Sequence, residues 1–295
     1  MSDGPTGSTV PRRQLGRYLR NLRSDARLTV KAAARALEWS EAKMWRIESG
    51  QSSLRALDVQ AMCAAYGAPD DLTQALMGLA KETKARGWWH AYGDVTPEGF
   101  HLFIGLEEAA SEVDWYETDL MPGLLQTREY AQTIIQRGNP NEDELEVERR
   151  VNLRMSRQVL LTRPTSPANL NVVLSETVLR RPVCHPAAMA VQLRHLLDVG
   201  QLSNVSVRVI PFAAGFHLGV LSGPFGILRF PPNRDGNESE PPTVYSDGFT
   251  GDLYLDKPGE VTRYKAAFAD ICTNASDEQT SRRLISEVAG SYDKQ

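Results

Sequence analysis

Apolar side chains recur every three to four residues along the first fifty positions, which predicts one longer helix followed by two short ones. The longer helix covers residues 13–23, with leucines on one face and arginines on the other. Residues 28–37 carry small and apolar side chains on one face, so a following helix can approach closely. Ser40 is a suitable N-cap for that helix, and Gly50 supplies the positive φ that ends it. The pattern therefore predicts two short helices joined by a tight turn.

The second short helix, residues 41–49, has an inner and an outer side. Met44 and Ile47 point inward at a spacing of i and i+3. The outer side near the helix N-terminus carries Glu41, Ala42, Lys43 and Arg46. A recognition helix presents such positions to base edges in the major groove. The pattern indicates a DNA-reading helix-turn-helix.

The remaining pattern divides the chain into two domains after a polar tail. We predict a disordered tail over residues 1–10, a helical DNA-binding domain over 11–86, and a larger domain over 87–290. Further helices are predicted in the larger domain at 107–116, 127–137, 141–161, 187–200, 260–274 and 276–289. Strands are predicted at 170–174, 205–210, 225–230, 243–245 and 252–255. The helix between the first two strands favours a mixed or partly parallel sheet, which makes the larger domain α+β or α/β.

Charge is distributed unevenly between the two domains. Residues 11–50 contain ten Lys or Arg against four acidic residues, a net charge of +6, whereas the whole chain carries −4. A basic segment on an acidic protein indicates a local polyanion partner and argues against indiscriminate nucleic-acid coating. No apolar run approaches the length of a membrane span, and the N-terminus has no signal-peptide core, so we expect a soluble, cytoplasmic protein. The three cysteines are far apart and show no metal-binding spacing.

The N-terminal domain resembles the XRE class of helix-turn-helix regulators, the phage-repressor type, through Leu28-Thr29, Ala34, Ser40 and Arg46-Ile47-Glu48-Ser49-Gly50. The resemblance implies a mainly α, five-helix domain, whose last two helices fit residues 54–66 and about 70–85. It also implies that Arg23 pairs with Glu48 behind the recognition helix. By motif position it places base contacts at Glu41, Ala42 and Arg46. Residues that touch or flank phosphate are then Thr29, Lys31, Ser40, Lys43, Ser49 and Ser53. Trp45 departs from the small polar residue usual in this class, and we expect it to pack against a neighbouring helix.

Motifs along the rest of the chain carry a second resemblance. They are GWWH (87–90), IGLE (104–107), MPGLLQT (121–127), RRVNLRMSRQ (149–158), ETVLRRP (176–182), QLRHLL (192–197), VIPFAAG (209–215) and GPFG (223–226). In this order they resemble the antitoxin-like transcriptional regulators of actinomycetes, in which an XRE domain precedes a large domain of poorly defined role. The resemblance implies a regulator, often encoded beside a small partner protein.

Chemistry-bearing residues of the larger domain show no catalytic, cofactor or metal signature. The five histidines have no metal-ligand spacing, and neither a GxSxG elbow nor a phosphate-binding glycine loop is present. Asp247, Asp252 and Asp256 could hold a cation, but a solvated acidic edge is the favoured interpretation. Trp88 and Trp89 could line a pocket, but we favour a role in packing the domains together.

Residues 211–226 are the best candidate for a functional segment of the larger domain, because glycines there alternate with apolar side chains. Phe212, Phe216, His217 and Leu221 could form a surface for a ligand or a partner. The alternative is a loop folded over the core of the sheet.

These patterns lead to one principal hypothesis. The chain is a sequence-specific DNA-binding transcriptional regulator, without enzymatic activity, that acts at the nucleoid on a double-stranded operator. It is a homodimer, because one such domain reads half of a two-fold site. A small partner protein or a small-molecule effector on the larger domain modulates operator binding. The alternative is that the larger domain is an enzyme, or a degenerate one, that the N-terminal domain localises to DNA.

Overall fold

The computed structural model describes residues 9–83, 91–92, 100–232, 240–248 and 252–294. The chain divides into two compact units. The N-terminal unit comprises residues 1–91 and 100–109, and the C-terminal unit comprises residues 92–99 and 110–295. The domain boundary predicted between residues 86 and 87 lies outside the described residues, as do Trp88 and Trp89, which follow it.

The N-terminal unit is helical throughout its described residues. Its helices are α1 (Thr9–Asp25), α2 (Val30–Ala36), α3 (Glu41–Glu48), α4 (Ala56–Tyr66), α5 (Asp70–Glu82) and α6 (Phe100–Ala109). Helix α1 begins at Thr9, so it includes the last two residues of the predicted tail. Leu19, Met44, Ile47 and Val59 are at the centre of the core that α1, α3 and α4 share. The five-helix prediction for this region is confirmed, with α6 as an addition.

Helix α3 begins and ends as its local sequence predicts. The Ser40 hydroxyl oxygen accepts a hydrogen bond from the Lys43 backbone N–H at 3.2 Å. Gly50 has a φ of +75°, and a Cβ there would lie 2.6 Å from Cγ of Arg13. Only glycine satisfies both the conformation and the space at this position. The turn that stops α3 is therefore fixed by a residue the sequence identifies.

Helices α1 and α3 touch at Gly16, which gives a stability prediction. A Cβ at Gly16 would lie 2.5 Å from the Ile47 carbonyl oxygen and 2.9 Å from that of Glu48. We expect Gly16→Ala to destabilise the N-terminal unit by about 1–3 kcal/mol, because backbone cannot move aside as a side chain would. Hydrogen exchange of the amides of α1 and α3 measures the effect.

Gly78→Ala is the matched control, because Gly78 also lies inside a helix but has open space where a Cβ would be added. Alanine there should stabilise α5 by up to about 1 kcal/mol through its higher helix propensity. Equal exchange rates for Gly16→Ala and the wild type would show that the two helices do not make this close contact.

The C-terminal unit combines helices with one sheet. Its helices are α7 (Arg128–Gly138), α8 (Glu144–Arg157), α9 (Val159–Thr162), α10 (Glu176–Arg180), α11 (Pro186–Val199), α12 (Gly219–Ser222), α13 (Pro258–Asn274) and α14 (Glu278–Tyr292). Its strands are β1 (Glu112–Glu117), β2 (Asn169–Ser175), β3 (Val205–Ile210), β4 (Phe225–Arg229), β5 (Thr243–Ser246) and β6 (Leu253–Leu255). Two 3-10 turns, Gly123–Leu125 and Phe212–Ala214, connect these elements.

The six strands form one mixed sheet in the order β3-β2-β1-β4-β5-β6. Strands β1, β2 and β3 are parallel, and β4, β5 and β6 continue the sheet in antiparallel pairs. The carboxyl ends of the three parallel strands and the start of β4 consequently meet at one edge. The mixed sheet predicted from the strand–helix–strand pattern is confirmed.

The helix predicted over residues 107–116 is wrong, because α6 ends at Ala109 and β1 occupies Glu112–Glu117. Two neighbouring strands hydrogen-bond to both sides of this segment, and such pairing overrides a local helical pattern. Its Val, Trp and Tyr residues are in fact typical of strands. The helical prediction for this strand, which lies in the middle of the sheet, therefore gave too little weight to its β-branched and aromatic residues.

Helix α13 covers one face of the sheet at the edge where β1 and β3 end. Tyr116, Ile210, Phe225 and Phe268 form the core between them, with ring centroids of Tyr116 and Phe225 6.2 Å apart. This packing places the connection between β3 and β4, residues 211–224, directly beside a rigid aromatic core.

Candidate functional site

Helix α3 is fixed to α1 by a paired arginine and glutamate. Arg23 Nε and Nη2 donate to the two carboxylate oxygens of Glu48 at 2.6 and 2.8 Å, and Nη1 donates to the Leu28 carbonyl oxygen at 2.8 Å. The side chains are only 12% and 7% exposed. The Glu48 carboxylate raises the pKa of Arg23. The pair implied by the resemblance is therefore present, and it sets the orientation of α3.

The residues predicted to contact DNA all reach the surface. Lys43 and Ser49 are half-buried, and the exposed residues are Thr29, Lys31, Ser40, Glu41, Ala42, Arg46 and Ser53. Lys43 is held in place, because its Nζ lies 3.5 Å from the centroid of the Trp39 ring. The structure thus brings the predicted residues onto exposed parts of α2, α3 and the segments next to them.

The arginine-bearing side of α1 is partly committed to contacts within the fold. Arg13 is buried against Gly50, and Arg23 is committed to Glu48. Arg46 on α3 and Lys31 on α2 are exposed cations. Part of the basic charge of residues 11–50 therefore stabilises the fold. The net charge of this segment overstates the number of cationic side chains that a polyanion can contact.

Trp45 corrects a second expectation. We expected its ring to pack against a neighbouring helix, but 59% of the residue is exposed. The structure instead uses Trp39 for packing, against the core of the N-terminal unit. Trp45 lies on the outer side of α3, among the residues assigned to base contacts.

The segment between β3 and β4 exposes several large apolar side chains. The exposed fractions are 62% for Phe212, 69% for Phe216, 60% for Val220 and 71% for Leu221. We call these four side chains the apolar surface. His217, which we grouped with them, is buried instead, and its Nδ1 accepts the Gly219 N–H at 3.2 Å. Val220 was not identified from the sequence, since its exposure depends on the turn into α12.

Two carboxylates, the buried one of Glu176 and the half-buried one of Asp270, hold the apolar surface in place. The Phe212 N–H donates to Glu176 Oε2 at 2.9 Å, and the Leu218 N–H donates to Asp270 Oδ2 at 2.7 Å. Immediately after the second of these hydrogen bonds, Gly219 lies so close to the Tyr116 ring that a Cβ would be 2.7 Å from it. The His217 ring meets the Tyr116 ring edge-on at 6.0 Å. The apolar side chains are consequently presented from a fixed backbone.

The MPGLLQT segment, residues 121–127, is held by hydrogen bonds from glutamine side chains, of which Gln126 and Gln192 are buried. Gln192 Nε2 donates to the Leu125 carbonyl oxygen, and its Oε1 accepts the Thr127 N–H, both at 2.7 Å. Gln126 Nε2 donates to the Met121 carbonyl oxygen at 2.6 Å. Gln158 Nε2 donates to the Gln126 carbonyl oxygen at 2.6 Å. Side-chain amides of three glutamines therefore hold the backbone of this segment.

Carboxyl groups gather at the edge where β1 and β5 end. Burial, together with the carboxylates of Asp247 and Asp119, raises the pKa of Glu117 to about 7. Burial and the adjacent Asp247 also raise the pKa of Asp252. Among the described residues no cluster of His, Cys, Asp or Glu has the composition to hold a metal ion.

A polar cleft of about 500 Å³ lies where the parallel strands begin. Asn169, Asn171, Ser203 and Asn204 contribute side chains to its wall. Asn204 Nδ2 is already engaged, since it donates to the carbonyl oxygens of Leu161 and Ala168. Because the cleft lies where the parallel strands begin and the apolar surface follows the end of β3, the two belong to different parts of the C-terminal unit.

Cys184 and His185, adjacent in sequence, do not form a nucleophile and base pair. Burial raises the pKa of the Cys184 thiol, the opposite of what a reactive thiolate requires. His185 Nδ1 accepts the Ala187 N–H at 3.4 Å at the start of α11. His185 therefore acts as a helix cap.

Two protein families match the chain. A helix-turn-helix domain matches residues 14–76, and a domain of unknown function (DUF5753) matches residues 100–287. No curated protein and no solved structure gives a significant match to the chain. None of the helices among the described residues has the length and hydrophobicity needed to cross a membrane.

Proposed function

The chain belongs to the family that carries the domain of unknown function DUF5753, and from this premise we propose that it is a sequence-specific transcriptional regulator of the XRE class. The helix-turn-helix domain in front of it makes the chain a DNA-binding regulator. The observation that carries the finer proposal is α3 itself. It presents Glu41, Ala42 and Arg46 on an exposed side, while Arg23 and Glu48 lock the opposite side to α1.

The proposed contacts separate into two kinds. Arg46 donates to guanine or phosphate oxygens, Glu41 accepts from cytosine N4, and Ala42 contacts a thymine methyl group. Lys31, Lys43 and the hydroxyl groups of Thr29, Ser40, Ser49 and Ser53 contact or flank the phosphates. Phosphate contacts position the protein on the duplex, whereas base contacts select the sequence. Binding should therefore weaken strongly as salt concentration rises.

We propose that the regulator binds DNA as a homodimer. One helix-turn-helix domain covers half of a two-fold operator, so two copies are needed to read a whole site. A regulator of this kind works in the cytoplasm, at the nucleoid.

Selection of bound genomic DNA tests the proposal. The purified full chain is mixed with fragmented genomic DNA and excess unrelated competitor, and the retained fragments are sequenced. We expect enrichment of a two-fold symmetric site, close to the gene for this chain or its neighbour. Many scattered sites would instead indicate a global regulator. The absence of any enriched fragment would contradict DNA binding with sequence specificity.

The C-terminal unit is proposed to bind a small protein, in the manner of an antitoxin-like regulator. The apolar surface supports a protein partner over a small molecule, because its side chains are more than half exposed, whereas small-molecule sites are concave and bury most of their ligand. Because the backbone that carries these side chains is already held in place, little conformational entropy is lost when a partner binds. For a small polar effector, the cleft beside Asn169 and Asn171 is the better candidate.

Leu221→Asp tests the apolar surface. We expect the full chain, coexpressed with the small protein encoded beside it, to form a complex that Leu221→Asp weakens at least tenfold, because a carboxylate cannot be buried there without a partner. Light scattering after gel filtration measures the complex. Leu253→Asp, on exposed β6, is the control and should leave the complex intact.

The outcomes separate the possible occupants. A chain that is dimeric alone and loses dimerisation in Leu221→Asp would identify a second copy as the occupant. Complexes of equal affinity in Leu221→Asp and wild type would show that the partner binds elsewhere.

We further propose that the C-terminal unit acts by binding and not by turnover. His217 supports this proposal, because its side chain is buried and its Nδ1 accepts a hydrogen bond from the Gly219 N–H. A turnover reaction that His217→Gln abolishes in a folded protein would favour the alternative of an enzyme localised to DNA.

A further inference from the structure

The outer side of α3 has Trp45 near its middle. Successive residues of an α-helix are rotated by about 100°, which places Trp45 between Glu41 and Ala42 when the helix is viewed end-on. Met44, Ile47 and Glu48 are buried and occupy the opposite side. Trp45 thus shares the exposed arc that begins at Glu41 and ends at Arg46.

The Trp45 ring is available to a ligand. Within the described part of the chain, no aromatic or cation contact involves this ring, and 59% of the residue is exposed. Ala42 is exposed as well, and the two residues are related by i and i+3, so their side chains are neighbours on the helix surface. Together they form a small apolar strip on a surface that otherwise carries Glu41, Lys43 and Arg46.

We propose that Trp45, with Ala42, reads the 5-methyl groups of thymine in the major groove. This inference rests on the proposed function, since it assigns a specificity to the same helix. Base edges in the major groove are donors and acceptors except for that methyl group, which is the apolar feature an indole can recognise. Burying one methyl group corresponds to about a fourfold gain in affinity.

Thymine reading makes a different prediction from other uses of an exposed tryptophan. An indole lying along deoxyribose or against a phosphate would add affinity whichever base is present. An indole that meets a methyl group loses its contact when that group is removed. Deoxyuridine is the discriminating probe, because it keeps the hydrogen-bonding edge of thymine and lacks only the methyl group.

The experiment uses the duplex recovered by genomic selection, with each thymine replaced in turn by deoxyuridine. Dissociation constants are measured by fluorescence anisotropy for the full-length wild type, Trp45→Ala and Leu57→Ala. The last is a control that removes an exposed apolar side chain from α4. We expect deoxyuridine at one or two positions to weaken wild-type binding about fourfold each, with the same pattern in Leu57→Ala. In Trp45→Ala we expect weaker binding to the thymine duplex and no further loss with deoxyuridine at a position read by Trp45.

Several outcomes would overturn the inference. One is that the wild type binds all thymine and deoxyuridine duplexes with equal affinity. Another is that deoxyuridine lowers the affinity of Trp45→Ala as much as that of the wild type at every sensitive position. A uniform loss in Trp45→Ala, independent of methyl groups, would assign the ring to the DNA backbone. Failure of the wild type to select any duplex would contradict the proposed function itself, which distinguishes the two failures. Circular dichroism of Trp45→Ala confirms that a loss of binding is not a loss of fold.

Discussion

Arg46→Glu is expected to reduce operator affinity by about a hundredfold at physiological salt. Arg46 is exposed on α3, so its replacement should leave the core of the N-terminal unit intact. The change removes a cation that faces the DNA and introduces an anion that the phosphates repel. Loss of an arginine contact to a base costs about 1–3 kcal/mol, and charge reversal brings the loss to the upper part of that range or beyond.

The measurement is a titration of the selected duplex at several salt concentrations. Arg263→Glu is the matched control, because it changes the net charge equally at an exposed site on α13. We expect it to bind within about twofold of the wild type. The salt dependence of Arg46→Glu should be shallower, because fewer counterions are released. If Arg46→Glu bound the duplex with wild-type affinity, the proposal that α3 contacts DNA would be wrong.

Glu48→Ala is expected to destabilise the N-terminal unit by about 3–5 kcal/mol, the range for breaking one side of a buried ion pair. Arg23 would keep its hydrogen bond to the Leu28 carbonyl oxygen but would lose both bonds to a carboxylate. Its guanidinium, only 12% exposed, would then lack a counter-charge. Because the chain has two units, hydrogen exchange of the α1 and α3 amides is a better measure than one melting temperature.

Replacing both Arg23 and Glu48 separates the contribution of charge to stability from the contribution of packing. In the double variant Arg23→Met, Glu48→Leu, no buried charge is left unpaired, so we expect most of the stability to return. Amides of the C-terminal unit serve as the internal control and should exchange at wild-type rates in both variants. Unchanged protection of α1 in Glu48→Ala would show that the pair does not hold α3.

Local signals made much of the N-terminal unit predictable. A cap at Ser40 and a positive φ at Gly50 depend on residues a few positions apart, so α3 was located almost to the residue. The strands at residues 205–210 and 225–229 were also found, because buried strands concentrate β-branched and aromatic residues. For the candidate site, the sequence supplied the residues of α3 and three of the four side chains of the apolar surface.

Long-range packing decided what the pattern left open. The place of β1 in the middle of the sheet depends on its pairing with β2 and β4, which are far away in sequence. The order of the strands and the amide brace of Gln192 on Thr127 depend on the same kind of contact.

The sequence by itself determined that a helix-turn-helix domain precedes a mixed α and β domain, since caps, turns and apolar periodicity are local properties. Only the tertiary structure decided which candidate side chains face outward. Arg13 and His217 are buried, while Trp45 and Val220 are exposed. The physical reason is that burial depends on which elements meet across the fold. A polar or aromatic residue carries no local mark that separates a packing role from a binding role.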